Sequence, residues 1–283
     1  MEKIYLWKNA SIKTQTDRPS ITPFLLDDDK IRPAVLVIPG GGYGIVCEST
    51  EGSPIAKGFN ELGFHAFVLD YRVAPEVFPA PQLDAMRAMK IIRGNAEKWH
   101  VDAEKICSCG FSAGGHLSGS LGNLCDNLDA SDGDEFDKYP HVPYAMILCY
   151  GVLVFEDWSH LGTQENLLGK DFRNIRQDYS LNTLVNDKTP PTFLMHTVCD
   201  QMVSFRNSIE FASVMAKYKR PCELLLGYWG DHGMLLGKDT GDVSKWQELA
   251  VNFVKTLDEI EKNPEFLERY TNHYQARKVR NKQ

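Results

Sequence analysis

The chain has 283 residues, 43% of them apolar and 24% charged, with a formal net charge of -7 and a pI near 5.6. This apolar share supports a substantial core, and the length suits a single α/β domain over 1–283. The acidic balance argues against a nucleic-acid binder, and no run of 18 apolar residues is present to span a membrane. Residues 1–11 carry Glu2, Lys3 and Lys8 and no apolar stretch of signal-peptide length, so a cytoplasmic location is expected. The seven cysteines are odd in number and scattered, with no C-x-x-C pair, and read as small core residues rather than disulfides or metal ligands.

Residues 4–7 and 20–26 read as two short strands forming an antiparallel edge. Residues 33–38 are a continuous apolar run, the pattern of a strand buried on both faces of a parallel sheet. The run ends in Pro39-Gly40-Gly41-Gly42-Tyr43-Gly44, where missing side chains let backbone N–H groups face a ligand. A helix at 52–62, a strand at 64–69 and a helix at 80–99 follow, the last with Leu83, Met86, Met89 and Ile92 three residues apart.

The strand expected at 105–109 runs into Gly110-Phe111-Ser112-Ala113-Gly114, the G-x-S-x-G of a nucleophile elbow, with Gly115-His116 continuing a small-residue helix start. Residues 123–140 carry six acidic residues and read as an exposed excursion before a strand at 144–150. Residues 151–188 hold Trp158, Leu161, Leu167, Leu168 and Phe172 without clear period and read as a cap over the site. A strand at 191–197, a helix at 203–217, a strand at 222–226 and a helix at 243–260 complete the alternation, which implies βαβ units and a parallel sheet. A charged tail at 262–283, with Arg277, Lys278, Arg280 and Lys282, reads as helical, peripheral and solvated.

A serine hydroxyl is a poor nucleophile at neutral pH and needs a base that a third group holds in place. Of eight histidines, His232 alone follows a late strand in a glycine-flanked loop, Gly230-Asp231-His232-Gly233, and is the candidate base. His116 lies one helical turn past Ser112; His65 and His196 fall inside strands; His100, His141, His160 and His273 adjoin no strand end. Asp200 lies past a strand and between Ser112 and His232 in the chain, the order Ser, Asp, His; Asp157 and Asp231 are the rivals, and a helix N-cap is the bland reading of Asp200. The glycine loop and the N–H of Ala113 would then form an oxyanion hole.

Taken together, these motifs resemble the α/β-hydrolase superfamily, in particular its small carbohydrate esterases of the acetyl xylan esterase or hemicellulase type. The resemblance runs over about 32–236 and rests on Pro39-Gly40-Gly41-Gly42-Tyr43, Tyr71-Arg72-Val73-Ala74-Pro75, Pro79-Ala80-Pro81-Gln82-Leu83-Asp84-Ala85, the elbow from Gly110 to Leu117, the segment from His196 to Ser208, and Gly230-Asp231-His232-Gly233. It implies a mostly parallel sheet flanked by helices with a small cap insertion, Ser112 as nucleophile, Asp200 as acid, His232 as base, and the N–H groups of Gly41 and Ala113 as oxyanion donors. The family's Asp-x-x-Val-Pro stands here as Asp200-Gln201-Met202-Val203-Ser204, so the acid is kept and the proline is not.

The implied substrate is a small acetylated sugar or xylo-oligosaccharide, with no cofactor or metal, no nucleic-acid or membrane partner, and room for a homo-oligomer. Gly42, Tyr43 and Trp229 are expected to face that substrate; Tyr43, Tyr150, Trp158 and Trp229 read equally as sugar-stacking rings or as core. Two other functions share the chain order or the fold: an amidase or peptidase of the prolyl-oligopeptidase type, and a ligand-binding protein without catalysis.

Overall fold

A computed structural model describes residues 2–238 and 240–262; the tail expected at 262–283 lies, past Lys262, outside the described residues. The strands are β1 (Ile4–Tyr5), β2 (Ser20–Phe24), β3 (Arg32–Ile38), β4 (His65–Asp70), β5 (Val101–Phe111), β6 (Met146–Cys149), β7 (Thr192–Thr197) and β8 (Cys222–Gly227). They form one sheet in the order β1-β2-β4-β3-β5-β6-β7-β8. The pairs β1/β2 and β2/β4 are antiparallel and every later pair is parallel. The α-helices are α1 (Glu48–Glu51), α2 (Ser53–Glu61), α3 (Ala80–Gly94), α4 (Ala113–Asn123), α5 (Leu161–Leu168), α6 (Phe172–Ile175), α7 (Leu181–Leu184), α8 (Arg206–Lys217) and α9 (Trp246–Lys262).

The continuous apolar run of β3 has the cause read from sequence, because side chains alternate across a strand and both faces are covered here. Ala34, Leu36 and Ile38 pack with Met86 and Met89 of α3 and Leu117 of α4, whereas Val35 and Val37 pack with Phe59 of α2 and Trp246 of α9. Farther along, Leu148 and Leu194 meet Phe211 and Met215 of α8. Strand β5 is longer than the apolar run suggested: Val101 pairs with Arg32, the register shifts once, and Ile106 then pairs with Ala34. Asp102, Glu104 and Lys105 between them are part-buried or exposed, so no apolar run marks this part of the strand. Helix α3 ends at Gly94, short of the expected 99.

Several residues that carried the family resemblance prove to be struts. Arg72 makes a bidentate ion pair with buried Asp84, Nε to Oδ2 at 2.9 Å and Nη2 to Oδ1 at 2.8 Å, and Trp7 Nε1 donates to the same carboxylate. The Tyr71 hydroxyl donates to the Pro39 carbonyl at 2.7 Å, tying the end of β4 to the start of the glycine loop. The insertion at 151–188 breaks into α5, α6, a 3-10 turn and α7, each too short to display a 3.6-residue period. Its first residues are fixed from below: Val152 to Phe155 are buried, and the Val154 N–H donates to Asn207 Oδ1 of α8.

Candidate active site

The elbow is a consequence of space. Ser112 joins β5 to α4 at φ 52, a left-handed conformation that a non-glycine residue adopts only when its surroundings impose it. A Cβ at Gly110 would stand 2.0 Å from the Gly114 carbonyl oxygen, and one at Gly114 would stand 2.2 Å from that of Ile38. Only glycine fits at either place, so the strand can turn at once into the helix and leave the serine at the sheet's carboxyl edge.

The loops after β7 and β8 end at the same edge. His232 Nε2 lies 2.9 Å from Ser112 Oγ, and His232 Nδ1 lies 2.8 Å from Asp200 Oδ2. Because ionised Asp200 only accepts, Nδ1 carries the proton and Nε2 is left to accept from the serine hydroxyl. The other oxygen, Asp200 Oδ1, accepts from the N–H groups of Met202 and Val203 at 2.9 and 2.8 Å. Burial alone would raise the Asp200 pKa, but the hydrogen bonds from His196, His232 and the Val203 amide outweigh it and hold the carboxyl well below its ordinary range. His196 is buried beneath this loop, its Nε2–H shared between the Val203 carbonyl at 2.9 Å and Asp200 Oδ2 at 3.3 Å, and its Nδ1 accepting from the Ser208 hydroxyl.

The rival acids sit elsewhere. Asp157 is exposed and paired with Arg173 and Arg176, and Asp231 Oδ1 accepts from the backbone of the adjacent His232.

Ala113 opens α4, so its N–H belongs to the first turn, which a helix leaves without an intrahelical acceptor. Gly41, at φ 125, turns the glycine loop, and its carbonyl accepts from the Gly44 and Ile45 N–H groups. Gly41, Gly42, Ser112 and His232 border one cleft of about 440 Å³. Neither Tyr43 nor Trp229 is among its lining residues.

The expectation for Tyr43 is corrected: at φ 55 its ring turns inward, it is fully buried, and its hydroxyl lies 3.0 Å from His116 Nδ1. Trp229 is 69% exposed and packs edge-on to Tyr228. Tyr150 is buried with its ring edge against His232, and Trp158 lies under the Arg206 guanidinium.

His116, whose Nε2 donates to the Tyr179 carbonyl, accepts a hydrogen bond from the Tyr43 hydroxyl at Nδ1 and stacks on Phe155. Burial lowers its pKa to about 4, with the Tyr179 carbonyl opposing. The folded value lies below the unfolded one, so the unfolded chain binds the proton first, and stability is lost as pH falls from about 6.5 to 4. The stability gap between wild type and His116→Gln should therefore narrow by about 3 kcal/mol between pH 7 and pH 4. Urea titrations of both proteins at the two pH values measure this; a constant gap would show that His116 is not buried neutral.

Sequence reasoning missed Glu51. The carboxylate is 5% exposed, and its Oε2 accepts from the Gly40 N–H at 2.7 Å while Oε1 accepts from the Tyr150 hydroxyl at 2.9 Å. It thus fixes the loop that carries Gly41 and the ring that abuts His232. Burial raises its pKa, against the lowering effects of those two bonds and of His232. Glu51→Ala leaves two buried donors without partners and should cost about 2 to 4 kcal/mol in denaturant unfolding. Glu51→Gln can accept from Gly40 and donate to the Tyr150 oxygen, so it should recover most of that loss, and equal stability of both variants would contradict this account of the loop.

A largely parallel sheet with a serine on the elbow after β5, and an aspartate and a histidine on the loops after β7 and β8, defines an α/β hydrolase. Comparison with known proteins carries this further, and the chain belongs to the BD-FAE family, whose model matches residues 26–215. Endo-1,4-beta-xylanase B of Butyrivibrio fibrisolvens is 34% identical over 226 residues, 78% of this chain and 35% of that protein. An acetylxylan esterase of Xylanibacter ruminicola is 29% identical over 210 residues, 72% of this chain and 41% of that protein. The chain thus spans less than half the length of either. Among solved structures, an acetyl ester-xyloside bifunctional hydrolase from Caldicellulosiruptor lactoaceticus is 35% identical with a TM-score of 0.84, over 91% of this chain and 96% of that one. Among the described residues, no helix is long and apolar enough to cross a membrane.

Proposed function

We propose that this protein is a serine-dependent carboxylic ester hydrolase that deacetylates small acetylated sugars or xylo-oligosaccharides through an acyl-enzyme. The observation that carries the reading is the unbroken chain from Ser112 Oγ through His232 to Asp200, with contacts of 2.9 and 2.8 Å. In the first half-reaction His232 Nε2 takes the hydroxyl proton as Ser112 Oγ bonds to the ester carbonyl carbon. The carbonyl oxygen becomes an oxyanion, held by the N–H groups of Gly41 and Ala113. Asp200 stays ionised and stabilises the imidazolium. The intermediate collapses when His232 passes its proton to the departing alcohol oxygen, leaving Ser112 acylated. Water, deprotonated by the same nitrogen, then attacks the acyl carbon, and as this second intermediate collapses the imidazolium returns its proton to Ser112 Oγ, releasing the acid and the free serine.

The sugar part of the reading is supported by the names of the relatives, which include a xylanase, an acetylxylan esterase and an acetyl ester-xyloside hydrolase. The cleft bordered by Ser112 and His232 measures about 440 Å³, a volume that accommodates a small ester.

The test is hydrolysis of monoacetylated xylose and xylobiose beside p-nitrophenyl acetate and p-nitrophenyl octanoate. Acetates of the sugars should be cleaved, and the octanoate much more slowly than the acetate. Inertness toward every ester would overturn the proposal, whereas ester cleavage that spares all sugar acetates would overturn its carbohydrate part.

A further inference from the structure

The cleft lining supplied by the insertion is polar. His160, which precedes α5, and Asn166, within it, both border the cleft, while Ile45, Met202 and Leu235 give its apolar lining. His160 caps α5: its Nδ1 accepts from the Thr163 N–H at 3.2 Å and contacts the Thr163 hydroxyl at 2.8 Å. A nitrogen that accepts from a backbone amide carries no proton, so in the neutral ring the hydrogen sits on Nε2. Burial, followed by repulsion from His232, lowers the His160 pKa against the attraction of Asp200, which keeps the ring neutral. Asn166 is oriented in the same way. Its Nδ2 donates to the Gly42 carbonyl at 2.8 Å, and since a carbonyl only accepts, the amide oxygen remains available as an acceptor.

A neutral N–H donor and an amide acceptor on one side of a cleft match a hydroxyl group, which both donates and accepts. We infer that His160 and Asn166 bind a free hydroxyl adjacent to the ester on the alcohol part of the substrate, so that the enzyme selects monoesters of vicinal diols over esters of simple alcohols. This rests on the ester hydrolysis proposed above and adds to it a specificity determinant that the insertion provides. Both side chains act on the alcohol, and neither takes part in proton transfer at the acyl carbon.

The test uses two esters that differ by one hydroxyl, cyclohexyl acetate and the monoacetate of trans-1,2-cyclohexanediol, and reads the ratio of their kcat/KM values. Wild type should favour the diol ester by roughly tenfold, the worth of one well-made hydrogen bond. His160→Asn keeps a side-chain oxygen able to cap α5 but removes the Nε2–H, and should bring the ratio close to one. A purely structural role for His160 would slow both esters together and leave the ratio unchanged, which overturns the inference. A wild-type ratio near one overturns it as well, while leaving ester hydrolysis at Ser112 intact. Failure of wild type on both esters would instead remove the functional reading on which the inference stands.

Discussion

Replacing Asp200 by asparagine should lower kcat by about 10³- to 10⁴-fold with little change in KM, because the substitution reverses the histidine's tautomer. Asp200 Oδ1 accepts from two backbone N–H groups, Met202 and Val203, and only an oxygen can occupy that place. In Asp200→Asn the amide oxygen therefore takes the Oδ1 position and the NH₂ group faces His232 Nδ1. That nitrogen must then accept, so the proton moves to Nε2 and the imidazole presents N–H, not a lone pair, to Ser112. The general base is lost, while His196, whose Nε2–H lies 3.3 Å from the same Asp200 oxygen, keeps the Val203 carbonyl as its acceptor. Steady-state kinetics with p-nitrophenyl acetate measure the effect. A loss of less than tenfold would mean that another group orients His232, with Asp200 serving only the turn at 200–203.

Ser112→Ala should cost more, about 10⁴-fold or greater in kcat/KM, since it removes the hydroxyl that lies 2.9 Å from His232 Nε2. Residual turnover above the uncatalysed rate is expected, because the proposed oxyanion donors, the N–H groups of Gly41 and Ala113, would still polarise a bound ester toward attack by water. Folding should change little. Alanine fills the same space at φ 52, and the substitution removes one hydrogen bond, to His232. Thermal unfolding by circular dichroism separates the two effects: a large rate loss with a melting temperature near that of wild type supports a chemical role, and a rate within tenfold of wild type contradicts it.

How much of this was legible in the sequence depends on how local each cause is. The elbow was, because Gly110 and Gly114 are required by contacts with residues of the same turn and of the adjoining strand, and those requirements fix spacing along the chain. The buried strands were legible through their uninterrupted apolar runs, and the order of Ser112, Asp200 and His232 through the strands they follow. Glu51 was not. Its burial depends on Tyr150, 99 residues away, and a glutamate in a four-residue helix after a glycine loop has the appearance of a solvated first-turn residue.

The reading of Tyr43 failed for a related reason. Its place beside three glycines suggested the cleft, but the backbone turn at φ 55 sends the ring into the core against Tyr71 and His116. His160 adjoins no strand, and strand ends were the signal used to rank histidines. A helix cap that borders the cleft gives no such signal. The segment 151–188 was read as a cap because it shows no clear period, and its path stayed hidden, since helices of four to eight residues leave no period to read.

The proposed mechanism requires that Ser112 be acylated during turnover. Mixing the enzyme with p-nitrophenyl acetate, quenching in acid within milliseconds and analysing the peptides by mass spectrometry addresses it directly. The mechanism predicts one acetyl group on the peptide containing Ser112, present during turnover, gone once the ester is exhausted, and absent from Ser112→Ala. Sustained ester hydrolysis with the acetyl group on another residue, or an acetylated and still active Ser112→Ala protein, would contradict it.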